Sequence, residues 1–137
     1  MATLERPEVG PADVLIRVHA STVTSGDWRL RASAFPAPFW LPARLGFGLF
    51  RPRKKILGSE VAGEIVAVGS TVTRFQVGDL VFGYCGHGSN AEYVAMPQDG
   101  VLTTKPENIS FAEAASVPNG ALAALHFLRT LGNLRPG

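Results

Sequence analysis

Along residues 13–20, DVLIRVHA, the side chains alternate: Val14, Ile16 and Val18 share one side, and Leu15, Arg17 and His19 the other. A period of two belongs to a half-buried β-strand, because successive side chains point to opposite faces of a sheet. Strand-forming runs recur at 61–68 (VAGEIVAV), 80–84 (LVFGY) and 91–96 (AEYVAM), and QVGD at 76–79 supplies a turn between Phe75 and Leu80. GDWRLRAS at 26–33 suits a short helix with Asp27 as its cap, since a short acid at a helix start satisfies an otherwise unbonded backbone N–H. Residues 35–50, rich in proline and aromatic side chains, read as a long irregular loop, and loops of that length are commonly functional.

The pattern changes after Pro106. Ser110 and Glu113 have capping-box spacing, so a helix starts there. Beyond Pro118, Ala121, Ala124, Leu125 and Leu128 recur at helical spacing and Gly132 is a stop, which predicts a second helix over about 119–131. Strands followed by helices make this a β-rich α+β chain.

Within GSEVAGEIVAVG (58–69), Gly63 interrupts a strand. A strand glycine costs about 0.5–1 kcal/mol relative to alanine, so its presence points to a bend or to close approach by another backbone or a ligand. With Ala62 beside it, the surface is shallow, as in a tightly bent barrel strand or beneath a planar ring.

Composition narrows the class. A chain of 137 residues with 46% hydrophobic side chains has material for one globular core, and 18% charged residues with a net charge of +2 fit neither disorder nor a nucleic-acid partner. The basic cluster of Arg51, Arg53, Lys54 and Lys55 lacks interleaved aromatics and reads as a solvated loop. A single cysteine, Cys85, excludes an internal disulfide and fits a reducing, cytoplasmic setting; no signal peptide is visible. The most apolar stretch, 35–50, contains three prolines, two glycines and Arg44 and does not suit a membrane span.

The ordered set LGSEVAGEIVAVGSTVTRFQVGDLVFG (57–83), NAEYVAMP (90–97), KPENISFAEAASVP (105–118) and LRPG (134–137) resembles the medium-chain dehydrogenase/reductase superfamily, and within it zinc-independent quinone oxidoreductase-like members. The resemblance implies a GroES-like bent β-barrel over residues 1–137, with 106–137 as a helical connection towards a Rossmann domain that holds NADPH or NADH. It further implies a small hydrophobic acceptor and a homodimer in the full-length form. Relatives carry an extra β-hairpin before LERPEVGPADVLIRV and a Rossmann strand after LRPG, so the chain is expected to be a module cut at both sides, with strand 13–20 left as an unpaired edge. No Gly-x-Gly-x-x-Gly sequence occurs in the 137 residues, so the pyrophosphate site is expected elsewhere.

Site residues follow from the same resemblance. Zinc-dependent relatives have Gly-His-Glu where this chain has Gly58-Ser59-Glu60, and a ligand cysteine where it has Thr24, three residues before Asp27. Gly26 lacks the hydroxyl that relays a proton in those enzymes, and one cysteine cannot build their four-cysteine lobe. Serine and threonine are poor substitutes for imidazole and thiolate, and Cys85 and His87 have no further ligands nearby in sequence, so no metal site is expected. A conjugated acceptor already delocalises the developing charge, so a Lewis acid is less needed. In the quinone oxidoreductases an asparagine at the Thr24 position contacts the nicotinamide side, and many relatives have threonine at the Ala123 position. Thr24, Asp27 and Ala123 are therefore the expected cofactor-side residues, Asp27 acting as a helix cap or as an orienter behind the cleft. Trp28, Phe39 and Trp40, with Phe47, line an acceptor pocket or belong to the core. Glu60 reads as a buried, hydrogen-bonded acid that holds the cleft floor; no catalytic residue is identified. Two functions stay open: an NAD(P)-dependent oxidoreductase, and a noncatalytic GroES-like binding or assembly module.

With Ser59 and Thr24 in place of ligands, protein purified without chelator is expected to contain well below one zinc per chain by elemental analysis; stoichiometric zinc would overturn the zinc-independent assignment.

Overall fold

In the computed structural model, residues 5–32, 34, 36–38, 40, 45 and 56–135 are described. Strand β1 (Asp13–Ser21) leads to helix α1 (Ser25–Ala32); β2 (Glu60–Val68), β3 (Leu80–Tyr84), β4 (Tyr93–Pro97) and β5 (Val101–Thr104) follow. Helix α2 (Phe111–Ala124) continues as a π-helical segment, Leu125–Leu131. The strands form one antiparallel sheet in the order β4-β1-β2-β3-β5, curled into a half-barrel.

Several expectations need correction. Strand β1 is not an edge: it pairs with β2 on one side and β4 on the other, so the edges are β4 and β5. The short strand β5 was not anticipated, although Val101, Thr103 and Thr104 are β-branched. Pro118 does not separate two helices; it lies buried inside α2, which runs through it. The helical run does end at Gly132, but the left-handed residue is Asn133, at φ 48°. The loop 35–50, with Phe39 and Phe47, and the basic residues 51–55 fall largely outside the described residues.

Other readings hold. The Ser110–Glu113 capping box is formed in both directions, with Ser110 N–H donating to Glu113 Oε2 at 2.8 Å and Glu113 N–H to Ser110 Oγ at 3.2 Å. The QVGD turn is closed by Gln76 N–H to Asp79 Oδ2 at 2.9 Å.

Curvature comes from two irregularities in the β1–β2 ladder. Val66 has no partner between the pairs Leu15↔Ala67 and Ile16↔Ile65, and His19 has none between Val18↔Gly63 and Ala20↔Ala62. Each extra residue bends its strand and increases the local twist. One face of the sheet buries Val14, Ile16, Val61, Ile65, Val81, Val94, Met96 and Leu102, with Val18 packed against them as the alternation predicts. On the opposite face Ala62 is fully buried beneath Ala114 and Ala115 of α2, flanked by Ala20, Phe82 and Phe111. The shallow surface at Ala62 is therefore the seat of a helix and not of a planar ring.

Gly63 answers to backbone approach: a Cβ there would lie 2.1 Å from the Arg17 carbonyl oxygen. Strand separation would have to grow to admit a methyl group. Gly63→Ala is expected to cost about 1–3 kcal/mol of stability by urea unfolding, the range for overpacking a filled site; an unchanged midpoint would show that the ladder can open freely.

Candidate functional site

The corner between β1 and α1 is built by reciprocal hydrogen bonds. Thr24 N–H and Thr24 Oγ1–H both donate to Asp27 Oδ2 at 2.8 Å, and Asp27 N–H donates back to Thr24 Oγ1 at 3.3 Å. This is a capping box in which Thr24 is the cap and Asp27 its partner three residues on, a reversal of the expected roles, because the helix starts at Ser25. The other oxygen, Asp27 Oδ1, accepts the Gly58 N–H at 2.9 Å. Gly58 sits at φ +86°, and a Cβ there would come within 2.5 Å of Ser89 Oγ and Asn90 Oδ1. One buried carboxylate thus fastens the α1 corner to the chain entering β2.

A second layer of contacts closes the same region. Ser21 Oγ lies 2.8 Å from the buried Ser89 Oγ and donates to Asn90 Oδ1 at 2.9 Å. Glu60, 3% exposed at the start of β2, accepts the Thr22 hydroxyl on Oε2 and the Asn119 backbone N–H on Oε1, the latter at 2.8 Å. It is the buried, hydrogen-bonded acid that the sequence implied, and both its oxygens are occupied. Thr22 and Asn119, with Ser21, Ser89 and Asn90, escaped sequence reasoning because the partners in these pairs lie 38–69 residues apart and carry no local signal.

The expected site residues are dispersed. Thr24 and Asp27 touch, whereas Ala123 lies on α2 one turn after Asn119, the partner of Glu60, and is hydrogen-bonded to neither. Trp28 and Trp40 are 61% and 46% exposed, and Phe39 lies outside the described residues. Burial pushes the Cys85 thiol up, against hydrogen bonds led by Ser89, so it is neutral at physiological pH; its Sγ donates to the Ser59 carbonyl at 3.4 Å. Among the described residues, no three His, Cys, Asp or Glu side chains converge as a metal site.

Residues 10–125 match the alcohol dehydrogenase GroES-like domain. The chain belongs to that family. It is a quinone oxidoreductase-like member of the medium-chain dehydrogenase/reductase superfamily, matching it over the N-terminal portion. It is 37% identical to a quinone oxidoreductase of Pseudomonas aeruginosa over 131 residues, covering 95% of this chain and 36% of that protein. It is 31% identical to a chloroplastic quinone-oxidoreductase homolog of Spinacia oleracea over 137 residues, covering 94% of this chain and 37% of the relative. Among solved structures it resembles the CurK enoyl reductase with a TM-score of 0.81 and 28% identity, over 99% of this chain and 40% of that one. The chain therefore spans little more than a third of the length of these relatives, all of them reductases or oxidoreductases by name.

Burial pushes the Asp27 carboxyl up, but hydrogen bonds from the Thr24 N–H, the Gly58 N–H and the Thr24 hydroxyl outweigh it and hold the group below its ordinary 3.8. Folding thus favours the ionised form, so this contribution is complete above about pH 4 and fades as pH falls through the lowered value. Asp27→Asn, which turns an NH2 towards the Thr24 N–H, is expected to cost about 2 kcal/mol near neutral pH. The gap to the parent protein should narrow below about pH 4 in urea unfolding; a gap that stays constant would assign the loss to shape and not to charge.

Proposed function

We infer that the chain is the catalytic-domain portion of an NAD(P)H-dependent, zinc-independent oxidoreductase that passes hydride to a quinone, an enone or a related conjugated carbonyl compound. The observation that carries this reading is the match, over nearly the whole chain, to quinone oxidoreductases and to an enoyl reductase fold. Support for zinc independence comes from Ser59 and Thr24, neither a good ligand, and from the commitment of the Thr24 hydroxyl to Asp27.

Residues of this chain suit one wall of a nicotinamide site. The Thr24 hydroxyl hydrogen is taken by Asp27, and its oxygen accepts one N–H, which leaves a lone pair to accept from an amide such as a carboxamide. Asp27 fixes the orientation of that oxygen. Ala123, exposed on α2, belongs to the same proposed wall. Trp28 and Trp40, both exposed, offer apolar faces to a planar acceptor, and Phe39 belongs to the same proposed pocket. The nicotinamide, when bound, supplies the hydride. No Gly-x-Gly-x-x-Gly sequence occurs in the 137 residues, and Gly86-His87-Gly88-Ser89-Asn90-Ala91, which has the related spacing, leads into β4 and not into a helix, so a second domain would hold most of the dinucleotide. Leu122, Leu125, Phe127, Leu128 and Leu131, 43–63% exposed on the helical segment, support a covering domain reached through 106–137. The full-length form is read as a cytoplasmic homodimer that binds neither nucleic acid nor membrane; the lone Cys85 suits that compartment, and no helix among the described residues is long and apolar enough to span a bilayer.

Hydride transfer requires donor and acceptor carbons held about 3–3.5 Å apart, a geometry that depends on anchoring the whole dinucleotide. The 137-residue chain alone is expected to bind NADPH no tighter than roughly millimolar and to leave it unoxidised by quinone, whereas the same chain joined to a relative's Rossmann half should oxidise it. Turnover by the short chain would place the site differently. Inactivity of both forms would favour a noncatalytic GroES-like binding or assembly module.

A further inference from the structure

A proline inside a helix removes one N–H, and its ring blocks the carbonyl four residues earlier, so the backbone ladder opens there. Helix α2 meets this at Pro118 and yet continues to Leu131. The two sides of Pro118 are held very differently. Before it, Ala114 and Ala115 are buried against the sheet; Pro118 is the last buried residue, and from Asn119 to Leu131 every side chain is exposed. Beyond Pro118 the arm thus has no buried side chain to hold it against the sheet. At its first residue the Asn119 N–H is aimed at Glu60 Oε1, 2.8 Å away, and Glu60 is itself pinned by the Thr22 hydroxyl at the end of β1. A carboxylate anchored in the sheet thus accepts the N–H of the residue that follows the proline, beside the bond the proline leaves out.

We propose that Glu60 is a positioning residue: by holding the Asn119 N–H it sets the direction in which the 119–131 arm leaves the sheet, and so the place of Ala123 relative to Thr24. Its meaning for hydride transfer rests on the function inferred above; the tether itself does not. Two corners of the proposed nicotinamide wall are then fixed by two carboxylates, Asp27 at Thr24 and Glu60 at the helix, and residues 58–60 join them through the chain.

The test is nuclear magnetic resonance on the full 137-residue chain, reading amide exchange at Asn119 and residual dipolar couplings over 119–131 against those of β2. Glu60→Ala should speed Asn119 exchange at least about tenfold, since a hydrogen bond to a charged group is lost, and should reorient the arm while β2 keeps its couplings. Glu60→Gln, which retains an acceptor oxygen, should restore both. Should Glu60→Ala fail to fold, Glu60→Leu fills the space without an acceptor and must give the same two changes. In a Pro118→Ala background, where the helix can close its own ladder, Glu60→Ala should leave the arm in place. Unchanged Asn119 exchange, or a lowered Tm with the arm couplings retained, would reduce Glu60 to a plain stabilising residue and overturn the proposal. Failure of the inferred function would show instead as no NADPH oxidation by the two-domain form, which these couplings do not report.

Discussion

Backbone N–H groups that lie outside the sheet ladder must still find acceptors, and for three of them in this domain two buried carboxylates are the acceptors. Asp27 takes the N–H groups of Thr24 and Gly58, and Glu60 takes that of Asn119. Each acid also accepts a threonine hydroxyl, Thr24 or Thr22. The arrangement leaves no buried side-chain polar atom without a partner among the described residues. Because an unpaired buried charge costs far more than a paired one contributes, the β1–α1 corner and the approach to β2 depend on Asp27, and the region of α2 after Pro118 on Glu60.

The sheet beneath these acids is shaped by size. Bulges at Val66 and His19 curl the β1–β2 pair, and Gly63 allows the Arg17 carbonyl closer than any side chain would permit. Alanines then decide where α2 rests: Ala62 on the sheet faces Ala114 and Ala115 on the helix, so that backbone elements approach and bring Asn119 within reach of Glu60. Outside this contact, His19 stacks on Phe111 with ring centroids 4.4 Å apart, and Arg17 pairs with Glu64 at 2.5 Å, on the half-exposed side of the sheet. Salt screens such exposed charges, and their contribution is small beside the buried network.

Chemically, the domain offers position in place of reactivity. The Cys85 thiol stays protonated, both Glu60 oxygens are engaged, and the Thr24 hydroxyl hydrogen is committed to Asp27. A scaffold of that kind suits hydride transfer to an acceptor that spreads its own developing charge, which is the chemistry inferred from its reductase relatives.

The alternation in DVLIRVHA fixed the inward set Val14, Ile16 and Val18, and the Ser110–Glu113 spacing fixed the start of α2, because both signals are local and repeat with the period of the element they form. Motif order carried the family across the whole chain, since a set of spaced glycines and acids is hard to assemble by chance. Sequence also singled out Gly63 and Glu60 as residues needing a reason. The reasons themselves were tertiary: the atom against Gly63 belongs to Arg17, and the donor to Glu60 sits 59 residues away, just after Pro118. Pro118 looked like a boundary because local rules count the lost N–H, yet burial against the sheet and a borrowed acceptor carry the helix through it. Thr24 displaced Asp27 as cap for a local reason, because the helix starts at Ser25 and puts Asp27 three residues after the cap, while the contact of its far oxygen with Gly58 is tertiary. Local periodicity determined which segments form strands and helices; the choice of partner for each buried charge was left to the three-dimensional packing, where distances along the chain no longer count.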